Sequence, residues 1–284
     1  MPCNHCPRNC SVDRKIQVGF CNAPYETVVS KSMLHFGEEP VISGTKGSGA
    51  IFFSGCNLLC SFCQNRAISK QIRGEKHDIN SLTSLFFSLE DKGAHNINLV
   101  TPTPYLHVIV PSLENFKKSS TLPVVYNCGG YENVDALKKL DGLVDVYLPD
   151  FKYKSSNLSS SLSCAVNYFT DAVDAISEMV RQQPKTIINN DLIEKGVIIR
   201  HLVLPSHTDD SIEIVKTIKE RFPSALLSLM SQYTPEFYTG EDKTLKRKLT
   251  SFEYKKVLSE VERLGIDGFC QNRTSATSEM TPDF

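Results

Sequence analysis

The chain has 284 residues, enough to bury one substantial core, so one main α/β domain with a small appendage is expected. Lys plus Arg is 31 against 32 for Asp plus Glu, and a formal charge of -1 excludes a bulk electrostatic field for nucleic acid or an anionic membrane. No run approaches the roughly 18 apolar residues of a membrane span, and the start is Met-Pro-Cys rather than a basic-then-apolar leader, so a cytoplasmic protein is expected.

The first element is the run Cys3-Asn-His-Cys-Pro-Arg-Asn-Cys10, joined by Cys21 in Val-Gly-Phe-Cys21. Disulfide scaffolds are short and secreted, whereas seven of the ten cysteines here fall in two metal-like groups, so reduced thiols are expected. Four thiolates close a tetrahedral site: zinc held by Cys3, Cys6, Cys10 and Cys21 would staple a segment, 1–45, too small to fold on its own core. An auxiliary iron-sulfur cluster would use the same four ligands, and reactive, unliganded thiols are the third alternative. His5 can replace one cysteine, but inside the Cys-x2-Cys loop it reads as a solvated bystander.

From about Ser48 short apolar runs alternate with helical periods, the pattern of repeated β-α units around a parallel sheet, and 46–284 is taken as one partial barrel. The run 50–54 is a buried strand that ends at Cys56, Cys60 and Cys63, spaced Cys-x3-Cys-x2-Cys with Phe62 before the third. Three thiolates satisfy three irons of a cubane 4Fe-4S cluster and leave the fourth iron for a ligand; a zinc site or part of a disulfide framework is the plainer alternative, though Gln64 and Asn65 are poor fourth ligands for zinc. Leu82, Leu85, Phe86 and Leu89 then mark an amphipathic helix and 96–100 the second strand. Residues 108–118 follow as a helix, with Pro111 tolerable only near its start, then 122–126 as a strand and 134–140 as a helix.

The fourth strand is 143–148, and Phe169, Val173, Ile176 and Val180 space out a long helix before a fifth strand at 196–204. Val215, Ile218 and Phe222 mark another helix, 225–230 the sixth strand, and Tyr254, Val257, Leu258 and Val261 the last helix. The polar stretches 155–163 and 233–249 read as loops or solvated faces. Right-handed crossovers curl such units into an open barrel, giving an α/β fold class: a partial (β/α)6 TIM-like barrel with a small Cys-rich N-terminal segment.

Binding groups of such barrels cluster after the strands. That rule selects Thr101 and Thr103, with a proline-stiffened turn as the alternative, and Asn127 in Asn127-Cys-Gly-Gly-Tyr131, where the glycines also suit a tight turn. Asp150 and Lys152 lie on the same side of an extended chain, able to orient and meet a carboxylate or to form a simple salt bridge. Arg200, set in an apolar run, needs an anion, whether a ligand carboxylate or a core Asp or Glu. His201 has opposite parity and faces the helices, while Gln232 and Tyr233 either reach a ligand or cap the barrel. Phe62-Cys-Gln-Asn-Arg66 recurs as Phe269-Cys-Gln-Asn-Arg273; without a Cys-x3-Cys before it, Cys270 reads as a core or exposed thiol.

The Cys56, Cys60, Cys63 spacing with Phe62 resembles the signature of radical S-adenosylmethionine (SAM) enzymes. That resemblance implies an oxidoreductase in which Cys56, Cys60 and Cys63 hold a 4Fe-4S cluster, SAM chelates the fourth iron, and reductive cleavage gives methionine and a 5'-deoxyadenosyl radical. It makes SAM the ligand of Thr101, Thr103, Asn127, Asp150, Lys152 and Arg200, and implies an electron donor such as flavodoxin or ferredoxin. Many members carry Gly-Gly-Glu-Pro where this chain has Thr101-Pro-Thr-Pro, with no carboxylate. Asp150-Phe-Lys152 resembles the activating enzymes of glycyl radical enzymes. The N-terminal cysteines, Phe52-Phe-Ser-Gly-Cys56 and Arg200-His-Leu-Val-Leu-Pro205 together resemble the pyruvate formate-lyase activating-enzyme-like group called PflX. That implies an activase acting on a partner protein; a radical SAM enzyme modifying a small molecule or another protein, or a non-catalytic metal module, are the alternatives.

Overall fold

The computed structural model describes residues 3–270. Among these, ten strands make one sheet: β1 (Thr27–His35), β2 (Ser48–Phe53), β3 (Glu75–His77), β4 (Ile97–Val100), β5 (Val124–Cys128), β6 (Val146–Pro149), β7 (Ile187–Asn189), β8 (Leu192–Leu202), β9 (Leu226–Met230) and β10 (Gly268–Cys270). The helices are α1 (Pro40–Ser43), α2 (Arg66–Ser69), α3 (Ile79–Asp91), α4 (Leu106–Phe116), α5 (Val134–Leu137), α6 (Ser156–Ser163), α7 (Tyr168–Gln182), α8 (Thr208–Arg221) and α9 (Ser251–Leu264). No helix among the described residues is long and apolar enough to cross a membrane.

Strands β2, β4, β5, β6, β8, β9 and β10 run parallel in that spatial order, linked mostly by the helices. The expected partial α/β barrel is therefore formed, its six strands joined by the short β10. The sheet does not close: β10 is one edge, while beyond β2 the antiparallel β1 and β3 continue it. Residues 27–43, inside the segment expected to be a Cys-rich staple, supply β1 and α1 to this architecture.

Strand alternation sorts the side chains into two compartments. Ile51, Leu99, Tyr126, Tyr147, Ile199 and Leu227 face outward into the core shared with the helices. Val125, Val146, Leu148 and Ile198 belong to a separate inner cluster, capped by Val41 and Ile42 of α1. Helix α1 thus plugs one end of the barrel with aliphatic side chains, in the way closed barrels fill theirs.

Two expectations need correction. Residues 156–163 form α6: Ser155 caps its start by accepting from Leu158 N, and Leu162, Ser159 and Ser163 are buried. The serine-rich composition masks an i, i+4 pair, Leu158 and Leu162, that packs on the main core. Helix α4 starts at Leu106, so Pro111 lies inside it, where its ring forfeits one backbone hydrogen bond. The residues 233–249 are mainly irregular, with two 3-10 turns at Pro235–Phe237 and Lys243–Lys246.

Candidate functional site

Cys56, Cys60 and Cys63 follow the end of β2 on a loop that several distant segments fix. Gly55 has φ 86, and a Cβ there would stand 2.8 Å from the Cys21 carbonyl oxygen, so glycine lets the N-terminal segment lie against the loop. Arg8 donates from Nε to the Asn57 carbonyl (2.9 Å) and from its other nitrogens to the Ser163 and Cys164 carbonyls. Its guanidinium lies 3.8 Å from the centre of the Phe20 ring. Helix α6 closes the other side: Ser61 N donates to Leu162 O (2.8 Å) and Ser163 Oγ donates to Cys60 Sγ (3.0 Å). Thr239 N, from the polar 233–249 stretch, donates to Ser61 O (2.9 Å).

The three thiols are close enough to interact. Burial pushes the Cys56 thiol up to about 12, and Cys60 and Cys63 add to the shift; Cys63 is pushed to about 11 by burial and Cys60. Crowded, desolvated thiols of this kind call for a cation, and hydrogen bonds to sulfur from Leu58 N (3.4 Å) and Ser163 Oγ suit thiolate ligands. The donor types therefore fit the three-thiolate set of a 4Fe-4S cluster. Among the described residues no three His, Cys, Asp or Glu side chains are already gathered to hold a metal ion.

Cys60 and Cys63 stand at one end of a cavity of about 730 Å³ inside the barrel, which Asn127, Asp150, Lys152, Arg200, Gln232 and Tyr233 also line. Lys152 Nζ donates to Asp150 Oδ2 (2.6 Å), and Arg200 Nε donates to Asp150 Oδ1 (3.0 Å). Burial acts to raise Asp150, but Lys152 and Arg200 hold its carboxyl below the usual range. Burial opposes the charge on Lys152, yet Asp150 and Cys60 carry its ammonium above its ordinary value. The end of β6 is fixed by Tyr168, whose hydroxyl donates to Asp150 O (2.7 Å) and accepts from Lys152 N (3.0 Å).

Arg200 meets the protein anions that the sequence left open: besides Asp150, Nη1 donates to Glu38 Oε2 (3.3 Å), and Nη2 donates to the Asn127 side-chain oxygen. Glu38 and its neighbour Glu39, which lie between β1 and α1, line the same cavity and were missed by the sequence reading. The available signal was an adjacent carboxylate pair before Pro40, the first residue of a helix. Asn98 was missed too, although an asparagine at an inward position of an apolar strand is visible in the sequence.

Other expected residues lie elsewhere. Thr103 is buried, and its hydroxyl donates to Glu132 Oε1 (2.8 Å) rather than facing the cavity. Thr101 adopts φ 61, and its N–H donates to Asn127 O (2.8 Å), which makes it a turn residue. His201 is buried as parity required, with Nδ1 2.7 Å from Phe151 O. Tyr233 commits its hydroxyl to Leu245 O (2.7 Å). Cys270, on β10, lines the cavity beside Phe269, while Gln271, Asn272 and Arg273 lie outside the described residues.

Cys3, Cys6, Cys10 and Cys21 surround a second, small cavity of about 20 Å³. Burial pushes Cys6 up to about 12 and raises Cys21. His5 lines this cavity as well, half-buried instead of solvated, and burial with the nearby His107 lowers it to about 4.

No family model matches the chain. The uncharacterized protein MJ0674 of Methanocaldococcus jannaschii is 34% identical over 277 residues, covering 93% of this chain and 75% of that protein. Among solved structures, a radical SAM methyltransferase from Sphaerobacter thermophilus superposes with a TM-score of 0.53 at 13% identity, over 79% of this chain and 66% of that one. Streptococcus suis SuiB bound to precursor peptide SuiA gives 0.53 at 12% identity, over 79% and 48%. Methylornithine synthase (PylB) gives 0.50 at 17% identity, over 73% and 59%. The chain thus spans about half to two thirds of the length of these structures. It belongs to the same family as the Methanocaldococcus jannaschii protein and is built on the fold that the radical SAM enzymes share.

Proposed function

We propose that this protein is a radical SAM enzyme. The observation that carries the reading is that Cys60 and Cys63, with Cys56 beside them, meet Asp150, Lys152 and Arg200 at one cavity inside a barrel of this fold. Cys56, Cys60 and Cys63 would hold the cluster, whose chemistry when bound is one-electron reduction of SAM to methionine and a 5'-deoxyadenosyl radical. Lys152 offers its ammonium to the SAM carboxylate, and Asp150 orients that ammonium. Asn127 accepts from Arg200 and donates to Glu38, which holds the guanidinium beside them.

The finer reading is an activase-like protein, which the Asp150-Phe-Lys152 resemblance supports; the sheet stays open between β10 and its β1–β3 end, which leaves room for a peptide segment to enter. Action on a small molecule is the second reading, supported by a cavity that continues past the thiols to Glu38 and Glu39. For the N-terminal cysteines the reading is a single zinc ion, because Cys3, Cys6, Cys10 and Cys21 line one small cavity and four thiolates close a tetrahedral site. Anaerobically reconstituted protein given dithionite and SAM is expected to release methionine and 5'-deoxyadenosine, and the Cys56, Cys60, Cys63 triple alanine variant is expected not to. Failure of SAM cleavage by protein that demonstrably holds its cluster refutes the reading.

A further inference from the structure

Past Lys152, which interacts with Cys60 and Cys63, the cavity is acidic and incompletely partnered. Glu38, Glu39 and Asp150 line it against only two cations, Lys152 and Arg200. Both cations are engaged: Lys152 with Asp150, and Arg200 with Asp150 and Glu38. Glu39 is 8% exposed, is hydrogen-bonded by the Ser228 side chain, and has no partner for Oε2. It caps nothing either, since the short α1 that it precedes has no side-chain cap.

A second unpartnered acceptor lies behind Glu38, off the cavity wall. Asn98, fully buried, donates from Nδ2 to Glu38 Oε1 (3.1 Å), and its Oδ1 has no partner. Arg200 acts on Glu39 through space but no cation is hydrogen-bonded to it, and its unpartnered buried oxygen asks for a donor carrying positive charge. An anion or a neutral acceptor there would leave that oxygen unpaired, and an alkyl chain would find Pro40, Val100 and Leu202 among the residues that line the same cavity.

We propose that this part of the cavity is a subsite for an alkylammonium group of the substrate, held by Glu39 with Glu38 beside it. The inference rests on the reading of the thiol end as the place where SAM is cleaved, and it names the chemical class that is presented there. The ammonium belongs either to a free amine or to a lysine side chain of a peptide; the recognition chemistry is the same.

The test is calorimetry on anaerobically reconstituted full-length protein with SAM saturating throughout, so that the amine of SAM is already placed. The probes are n-butylamine, n-butanol and n-butyrate, and in parallel the capped peptide acetyl-Gly-Lys-Gly-amide with its norleucine counterpart. An ammonium is expected to bind at least about tenfold tighter than the matched neutral probe in one series or both, and Glu39→Gln is expected to bring that ratio to within about twofold. Preference confined to butylamine assigns a free amine, and preference for the lysine peptide assigns a side chain. No ammonium preference in either series, tighter butyrate, a preference that survives Glu39→Gln, or loss of probe binding when SAM is added overturns the subsite. The wild-type comparison decides alone if Glu39→Gln does not fold. Release of 5'-deoxyadenosine is read in the same preparation: cleavage without ammonium preference refutes the subsite only, and preference without cleavage refutes the reading of the chemistry only.

Discussion

Replacing Arg200 with Met tests whether the charges in the barrel act as one network. The Arg200 side chain is 15% exposed and pairs with Asp150 at 3.0 Å and Glu38 at 3.3 Å. Its loss does not orphan Asp150, which keeps Lys152 at 2.6 Å, so the cost concentrates on Glu38, whose remaining partners are the neutral donors Asn98 and Asn127. Removing one member of a buried pair costs about 3 to 5 kcal/mol, and the surviving amide contacts put this case near about 3 kcal/mol. Glu38→Gln alone removes a carboxyl that burial already pushes up against the opposing pull of Arg200, and is expected to cost about 1 kcal/mol or less. The double variant is then expected to cost about 2 kcal/mol less than the sum, a coupling within the range for side chains of one network. Guanidinium unfolding of the three variants and the parent at pH 7, anaerobically and with the cluster loaded, gives the cycle. An Arg200→Met cost under about 1 kcal/mol, or additivity to within about 0.5 kcal/mol, refutes the network.

Glu132 is fully enclosed with Thr103 and Tyr126 as donors, and burial pushes it from 4.5 to about 8. A raised carboxyl makes the folded state bind the extra proton, so its contribution is present below pH 4.5 and is lost as pH rises toward 8. The difference between wild-type and Glu132→Gln stability curves should therefore fall by up to about 1.4 kcal/mol per pH unit across that window, and a flat difference rejects the shift. Gly130 has φ 73, and a Cβ there would stand 2.2 Å from the Asp150 carbonyl oxygen; Gly130→Ala is expected to cost about 2 to 5 kcal/mol by denaturant titration. Arg8→Ala is expected to lower iron retained per chain after gel filtration while changing unfolding little, because it ties the N-terminal segment to Asn57 and α6; unchanged iron retention rejects that link. Metal analysis of the Cys56, Cys60, Cys63 triple alanine variant should find zinc without iron, and residual cluster iron rejects the single-ion assignment.

Much of the barrel was legible because its strands are apolar runs whose neighbours differ in period. Parity alone separated Arg200, inside the barrel, from His201, which is outside and 1% exposed. Helix α6 was hidden because serine has weak helix propensity, whereas what holds the helix is the local Ser155 cap together with packing of Leu162, and the packing is tertiary. Strand β10, three residues long, is too short to show a period. Thr103 was misplaced for a different reason: its hydroxyl partner, Glu132, is 29 residues away, and nothing local announces a buried carboxyl. Glu38 and Glu39 escaped because they precede a four-residue helix in a segment without periodicity, and only the closure of β1 against β2 brings them inside.

The placement of charge in this barrel argues for a ligand more strongly than for stability. Closed barrels fill their interiors with branched aliphatic side chains, and this chain does so where Val41 and Ile42 of α1 meet Val125, Val146 and Ile198. Above that layer the pattern stops, and Glu38, Glu39, Asp150, Lys152 and Arg200 occupy positions that aliphatic residues would fill at lower energy. Desolvating each ion costs several kcal/mol, and mutual pairing offsets that only where the remaining lone pairs are met. Glu39 is the group for which they are not met. A folding requirement alone would have removed it, whereas a cavity that must hold charged ends of a ligand between an acidic floor and a thiol mouth would keep it.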